Sequence, residues 1–332
     1  MALGGSPTIG VDIGGTKIAA GVVSQSGDVL LRSTRPTDPE DPAQIERAVA
    51  DAVRELLDEY PQACAVGIAA AGFVARDGQI VLFAPNIAWR NHPLARRVRD
   101  LVGKPVVVEN DANAAAWAEY RFGAGRGTQD MVMLTLGTGL GGAVVANGDL
   151  VRGAFGAGAE LGHVKIEPRG HYCGCGQEGC WEAYASGTAL ARLAQNVAAS
   201  DPAGARAMLD LAAGAPLSGA HVTAAARQGD RTAARLLRRF GDCLGRGIAT
   251  PCAVTDPEVV VVGGGIAAAA GDLILPAARE AFLRHLSGRG FRGEPTIVAA
   301  ELANDAGIVD ARDAARARLP DGASSRAVPV SI

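Results

Sequence analysis

The 332 residues are 48% hydrophobic and 20% charged, which supplies the apolar content for one large domain or two lobes and excludes a disordered chain. Lysine and arginine number 32 against 35 aspartate and glutamate, with no local run of basic residues, so the charge pattern excludes a nucleic-acid partner and favours a small molecule. No apolar stretch approaches the roughly 18 residues of a membrane span, and Met1 to Thr8 lacks both the basic and the apolar parts of a secretory signal, so the expectation is a soluble, cytoplasmic protein.

In chain order, the apolar run Ile9–Ile13 meets Gly14-Gly15-Thr16, strand character resumes over Ile18–Val23, and Ser26-Gly27 turns the chain into Val29–Leu31, predicting a β-meander. Asp41 then caps a helix with Pro42 in its first turn, and Ile45, Val49, Ala52, Val53, Leu56 and Leu57 recur at helical spacing up to Tyr60-Pro61. Ala65–Ala70 and Val106–Val108 read as buried strands. The second runs through Glu109-Asn110-Asp111 into an alanine-rich helix from Ala112 to Phe122. Met131–Leu136, the glycine-rich stretch 137–142 and Ala143–Ala146 repeat the opening scheme of strand, glycine turn and strand, which predicts two related halves. From Thr188 the pattern turns helical, with Leu236, Leu237, Phe240, Leu244 and Ile248 on one face of a long helix. Val259–Val262 is a strand ending at Gly263-Gly264-Gly265, and after Thr296–Ala300 a last helix is predicted near Ala306–Arg318.

Two of the glycine turns imitate familiar nucleotide motifs and fit neither. Gly14-Gly15-Thr16-Lys17 has Thr-Lys where a P-loop needs Lys-Thr, and strand follows where helix is required; Gly137-x-Gly139-x-x-Gly142 likewise continues as strand and lacks the acidic ribose partner of a dinucleotide fold. Both turns still allow backbone N–H groups to converge on an anion without a Cβ in the way, and Thr16 and Thr138 add hydroxyl donors. Cys173, Cys175 and Cys180 crowd into eight residues, which in a reducing compartment points to a metal, while Cys64, Cys243 and Cys252 lie scattered in apolar surroundings.

The succession Asp12-Ile13-Gly14-Gly15-Thr16-Lys17, Glu109-Asn110-Asp111-Ala112-Asn113, Leu136–Gly142, Glu160-Leu161-Gly162-His163 and Cys173-Gly174-Cys175-Gly176-Gln177-Glu178-Gly179-Cys180-Trp181-Glu182 resembles the ROK sugar kinases, in order from Ile9 to about Ala311. Ala84–Trp89 and Glu119–Gly125 are most similar to glucokinases of the actinobacterial type. The resemblance implies an α/β, actin-like fold of two α/β lobes around a cleft. Residues 1–110 with about 304–320 would form the small lobe, 111–303 the large lobe with the zinc loop, and 321–332 a disordered tail. It implies ATP-dependent phosphorylation of the glucose 6-hydroxyl, with a homo-oligomer, dimer or tetramer, as the assembly. Three positions depart from the pattern: Ala159 stands where glycine is often found, and Asn304 and Asp310 where small residues or glycine are common.

By the same resemblance Asp111 is the general base, with capping of the helix from Ala112 as its alternative role. Asn110, Glu160, His163 and Glu182, with Gly72 and Asn86, would contact the sugar. Asp12 would hold Mg²⁺, Gly14, Gly15, Thr16, Lys17, Thr138 and Gly139 would surround the phosphates, and Gly263, Gly264 and Gly265 would pass near the adenosine. His163 with Cys173, Cys175 and Cys180 forms a closed Cys₃His set suited to a structural Zn²⁺, whose sharp loop is eased by glycines 174, 176 and 179; a dithiol disulfide is the alternative. An N-acetylhexosamine or mannose kinase needs only a different pocket shape. A ROK repressor would need an N-terminal helix-turn-helix ahead of the first strand, where eight residues stand, and a non-catalytic actin-like ATPase would not need the Glu160–Glu182 block.

Overall fold

A computed structural model of the chain describes residues 6–15, 17–84, 87–302 and 305–309. Thr16, Asn86, Asn304, Asp310, the rest of the last predicted helix and the tail 321–332 lie outside the described residues. Two compact units emerge: residues 1–114 with 152–157 and 305–332, and residues 115–151 with 158–304.

In the first unit, strands β1 (Thr8–Ile13), β2 (Lys17–Val23) and β3 (Val29–Pro36) form the expected meander, with Ile13 opposite Ile18 at the hairpin end. β3 runs five residues past Leu31 because it is an edge strand with alternating exposure, so its polar half carries no apolar signal. Helix α1 (Pro42–Glu59) starts where Asp41 accepts the Gln44 N–H, and it buries Ile45, Val49, Ala52, Val53 and Leu56. The strand β4 (Val66–Ala70) is wholly buried and parallel to β1. A small sheet of β5 (Phe73–Val74), β6 (Val81–Phe83) and β7 (Arg90–His92) follows, then helix α2 (Leu94–Val102) and strand β8 (Val106–Asn110), parallel to β4. These short strands and the two-turn α2 offer too few periodic positions to be anticipated from pattern. Helix α3 (Asp111–Phe122) leaves the end of β8 without a loop. Of the last predicted helix, residues 306–309 are helical and pack on the sheet. A Cβ on Gly10 would lie 1.8 Å from the Ile308 carbonyl oxygen, so glycine in β1 is the condition for that approach.

The second unit repeats the plan. β9 (Met131–Leu136), β10 (Leu140–Ala146) and β11 (Asp149–Leu150) form antiparallel pairs, and β12 (Val259–Gly263) and β13 (Thr296–Ala299) add in parallel, in the order β11-β10-β9-β12-β13. The first unit's order, β3-β2-β1-β4-β8, is the same arrangement, so the two related halves read from the glycine turns share one sheet topology. Between the strands lie α4 (Gly187–Ser200), α5 (Arg206–Ala212), α6 (Gly219–Arg227), α7 (Arg231–Thr255) and, after β12, α8 (Gly265–His285). Helices α7 and α8 pack backbone to backbone, since Cβ atoms at Gly241 and Gly245 would fall 2.5 Å and 2.0 Å from the carbonyl oxygens of Ile274 and Ala278. Among the described residues no helix is long and apolar enough to cross a membrane. Two mixed sheets of one strand order, each with its helices, are the architecture expected of an actin-like fold.

Candidate functional site

In the first unit, β1 and β8 carry their acidic residues to the same sheet edge because both strands run parallel to β4 between them. Asp12 sits near the end of β1, and Gly14, Gly15 and the exposed Lys17 form the hairpin to β2, closed by the bond from Gly14 N–H to the Lys17 carbonyl at 3.0 Å. Among the described residues no donor bonds the Asp12 carboxylate. Burial, together with the nearby Asp111 charge and against the opposing effect of Lys17, raises its pKa from 3.8 to about 6. A desolvated carboxylate with a like charge beside it is suited to a hard cation such as Mg²⁺.

At the β8–α3 junction the cap is Asn110, whose Oδ1 accepts the Asn113 N–H at 3.0 Å. Asp111 is therefore released from the capping role that its sequence position also allowed. Its Oδ1 accepts from Ala112 N–H at 2.9 Å and from Asn110 Nδ2 at 3.2 Å, which leaves Oδ2 to accept a proton. Asp111 keeps an accessible face but lies deep among protein atoms. That loss of hydration raises its carboxyl above the usual range, against the lowering effect of the Ala112 N–H. The same Asn110 Nδ2 donates to the Gly72 carbonyl at 3.0 Å, so Gly72 and Asn110 are brought together as expected for one pocket. At Gly72, φ is +133° and a Cβ would stand 2.3 Å from the Phe83 carbonyl oxygen, so glycine alone fits.

Two residues of this group carry no role in the sequence reading. Glu109 is 3% exposed; its Oε1 accepts from Asn113 Nδ2 and from Asn110 N–H, both at 3.2 Å, and its Oε2 accepts from Arg152 Nε at 2.8 Å. This paired, buried carboxylate fixes the backbone on which Asn110 and Asp111 stand, and it also anchors the segment 152–157 to the first unit. Glu109 was visible as part of a motif; Arg152, 43 residues away, had no local signal.

In the second unit Glu160 precedes a 3₁₀ turn, Leu161–His163, that presents the imidazole to the cysteine loop. The ligand atoms of His163, Cys173, Cys175 and Cys180 lie within 4.8 Å of one another, with Cys173 Sγ 3.7 Å from His163 Nδ1 and Cys175 Sγ 3.6 Å from Cys180 Sγ. Tetrahedral zinc sets about 3.8 Å between two thiolates and about 3.6 Å between thiolate and imidazole, from its usual bond lengths. The donor set and spacing fit that ion, and all four cysteine and histidine residues come from one loop region. The cysteines are free thiols. Burial, with the neighbouring thiols, pushes Cys173 up to about 12. At Cys175 burial acts in the same direction, but hydrogen bonds from Gln177 N–H and the adjacent thiols outweigh it and lower the pKa. Gly176 (φ +86°) and Gly179 (φ +75°) supply the left-handed turns of the loop; Gly174 does not adopt a positive φ, so its expected part in the turn is corrected.

Trp181 locks this loop to the helical layer. The indole is fully buried, its Nε1 donates to the Cys243 carbonyl at 3.1 Å, and it fills a notch at Gly247, where a Cβ would lie 1.9 Å from the ring. Next in the chain, Glu182 directs Oε2 to the Leu140 N–H at 3.0 Å, while Oε1 lies 3.5 Å from Cys173 Sγ. Each oxygen retains a further acceptor position for a hydroxyl. The turn from Gly137 to Gly139 joins β9 to β10, as the first glycine turn joins β1 to β2, and no helix follows either, in accord with the rejected P-loop and dinucleotide readings. Gly263 ends β12 and Gly265 opens α8. Gly264 between them has φ +86° and a Cβ there would stand 2.6 Å from Leu136 backbone atoms, so this glycine run brings a helix N-terminus against the end of β9.

Residues 8–318 match the model of the ROK family. A glucokinase of Streptomyces coelicolor is 48% identical over 311 residues, which is 93% of this chain and 97% of that protein. A glucokinase of Thermotoga maritima is 40% identical over 315 residues, 94% of this chain and 98% of the relative. Among solved structures, a ROK family glucokinase from Streptomyces griseus in complex with glucose and AMPPNP aligns with a TM-score of 0.85 at 46% identity, covering 93% of this chain and 98% of that one.

Proposed function

Because the chain belongs to the ROK family, we propose that it is an ATP-dependent glucokinase, transferring the γ-phosphoryl group of ATP to the 6-hydroxyl of glucose. The observation that carries the reading is the Asp111 carboxylate: one oxygen is held by the Ala112 N–H and Asn110 Nδ2, no other residue among those described donates to the second oxygen, and the pKa is raised. Such a group accepts the hydroxyl proton as the oxygen attacks phosphorus, and a raised pKa makes it the stronger base. Asn110 holds Asp111 in that orientation, and Glu109 holds Asn110.

Glu160, His163, Glu182, Asn110, Gly72 and Asn86 are the proposed sugar contacts. His163 turns Nδ1 to the cysteines, so Nε2 is the nitrogen available to a hydroxyl. Gly14, Gly15, Thr16, Lys17, Thr138 and Gly139 are assigned to the phosphates and Gly263, Gly264 and Gly265 to the adenosine. Support comes from the hairpin geometry of both turns and from the helix N-terminus after Gly264. Asp12 would hold Mg²⁺, which neutralises phosphate charge when bound. His163, Cys173, Cys175 and Cys180 would hold a structural Zn²⁺ whose four ligands leave no open position for chemistry. The division into lobes at 110/111 and about 304, the cytoplasmic location, a place at the entry of glycolysis and a homo-oligomeric dimer or tetramer belong to the same proposal.

Initial rates with ATP across glucose, mannose, N-acetylmannosamine and N-acetylglucosamine test the assignment. The expected result is the highest kcat/KM with glucose; a higher value with any of the others moves the assignment to that sugar, and no transfer to any of them refutes it.

A further inference from the structure

We propose that Glu182 is a positioning residue for the backbone of the Gly137–Leu140 turn, and thereby for the nucleotide's phosphates, beyond any contact it makes with sugar. The inference rests on the reading of that turn as a phosphate site. The turn is held from two sides. Its carbonyl oxygens are tied by the start of α4: Gly187 N–H donates to Gly137 O at 2.8 Å, and Thr188 donates to Thr138 O through N–H at 3.2 Å and Oγ1 at 2.9 Å. Of its N–H groups, Gly137 donates to the Gly139 carbonyl at 3.0 Å and Leu140 donates to Glu182 Oε2 at 3.0 Å. Those of Thr138 and Gly139 take no partner among the described residues. Two successive N–H groups in a turn are the elements of an anion nest.

Glu182 closes this frame, and position 139 is shaped for it. A Cβ on Gly139 would lie 2.3 Å from Glu182 Oε2, so glycine there is what lets the carboxylate lie along the turn. The other carboxylate oxygen faces Cys173 Sγ at 3.5 Å, and the residue before Glu182 is the fully buried Trp181. A residue that served sugar alone would need neither the bond to Leu140 nor the glycine opposite. Electrostatics acts in the contrary direction: a carboxylate beside phosphates repels them, so simple removal of its charge would tighten nucleotide binding. Positioning and repulsion therefore predict opposite signs.

The test measures the Kd of Mg·AMPPNP without glucose, by calorimetry on the full chain, with zinc content and folding checked in each variant. Glu182→Ala is expected to weaken binding about tenfold, the loss of one charge-assisted hydrogen bond. Glu182→Gln keeps an acceptor for Leu140 N–H and is expected to stay within about threefold of the parent. Gly139→Ala, which displaces the carboxylate without removing it, is expected to cost about as much as Glu182→Ala and to add little in its background. Should Glu182→Ala not fold, Glu182→Asp, which keeps the charge but is too short to reach the Leu140 N–H, makes the same distinction against Glu182→Gln: positioning predicts weaker AMPPNP binding in Glu182→Asp, and repulsion predicts no change. Unchanged or tighter AMPPNP binding in Glu182→Ala and Gly139→Ala, with the parent binding normally, overturns the positioning role alone. A parent chain that binds no AMPPNP overturns the phosphate reading with it.

Discussion

Replacing Asp12 by asparagine separates its cost to folding from its service to catalysis. In the folded chain the carboxyl titrates at about 6 rather than 3.8, so between those values the folded state holds more protons than the unfolded one. Stability then falls as pH rises through that interval, and above pH 6 the wild type carries the full penalty of an ionised, desolvated carboxylate. The shift corresponds to about 3 kcal/mol at most, reduced by the solvent access that Asp12 retains. Asparagine is nearly isosteric and does not titrate. In chelator and without nucleotide, denaturant unfolding at pH 8 should find Asp12→Asn more stable by about 1–3 kcal/mol, and at pH 4 the two proteins should be about equal. With Mg²⁺ and ATP the order reverses in function, since the variant turns over more slowly and needs more Mg²⁺, while glucose affinity without nucleotide stays close to the parent's. A stability difference independent of pH, or a variant less stable at pH 8, would refute the argument.

Asp111→Asn is expected to keep the fold and glucose binding and to lose at least about 10²-fold in kcat, because only proton acceptance changes; near-normal kcat sinks the base assignment. Cys175→Ser should lower zinc content by elemental analysis and weaken glucose binding together, although Cys175 is exposed and is assigned no sugar contact; active wild-type enzyme without zinc contradicts this. Ala159 has φ +62°, the left-handed region, so Ala159→Gly should stabilise the chain by about 1 kcal/mol and raise Tm by roughly 2 °C, and a fall in Tm in calorimetry counts against the strain.

Local chemistry made much of this protein legible from its sequence. The Asp41-Pro42 start of α1, the buried runs of β1, β4, β9 and β12, and the repeat of strand, glycine turn and strand are carried by neighbours a few residues apart. So is the crowding of three cysteines. The glycine preferred before Glu160 also has a local cause, since the backbone at 159 is left-handed. What only the tertiary structure decided involves partners distant in the chain or ambiguous between neighbours. Asn110 takes the cap and frees Asp111, a choice between adjacent residues that each can accept an N–H. Arg152 finds Glu109 across 43 residues, Trp181 enters the notch at Gly247, and Glu182 reaches Leu140 across 42. The edge strand β3 and the three short strands β5, β6 and β7 owe their existence to hydrogen bonds supplied by other strands rather than to their own apolar pattern. A sequence shows which groups are available; the protein atoms that crowd Asp12 and one side of Asp111, and the distances that make a cluster or a clamp, exist only once the sheets have formed.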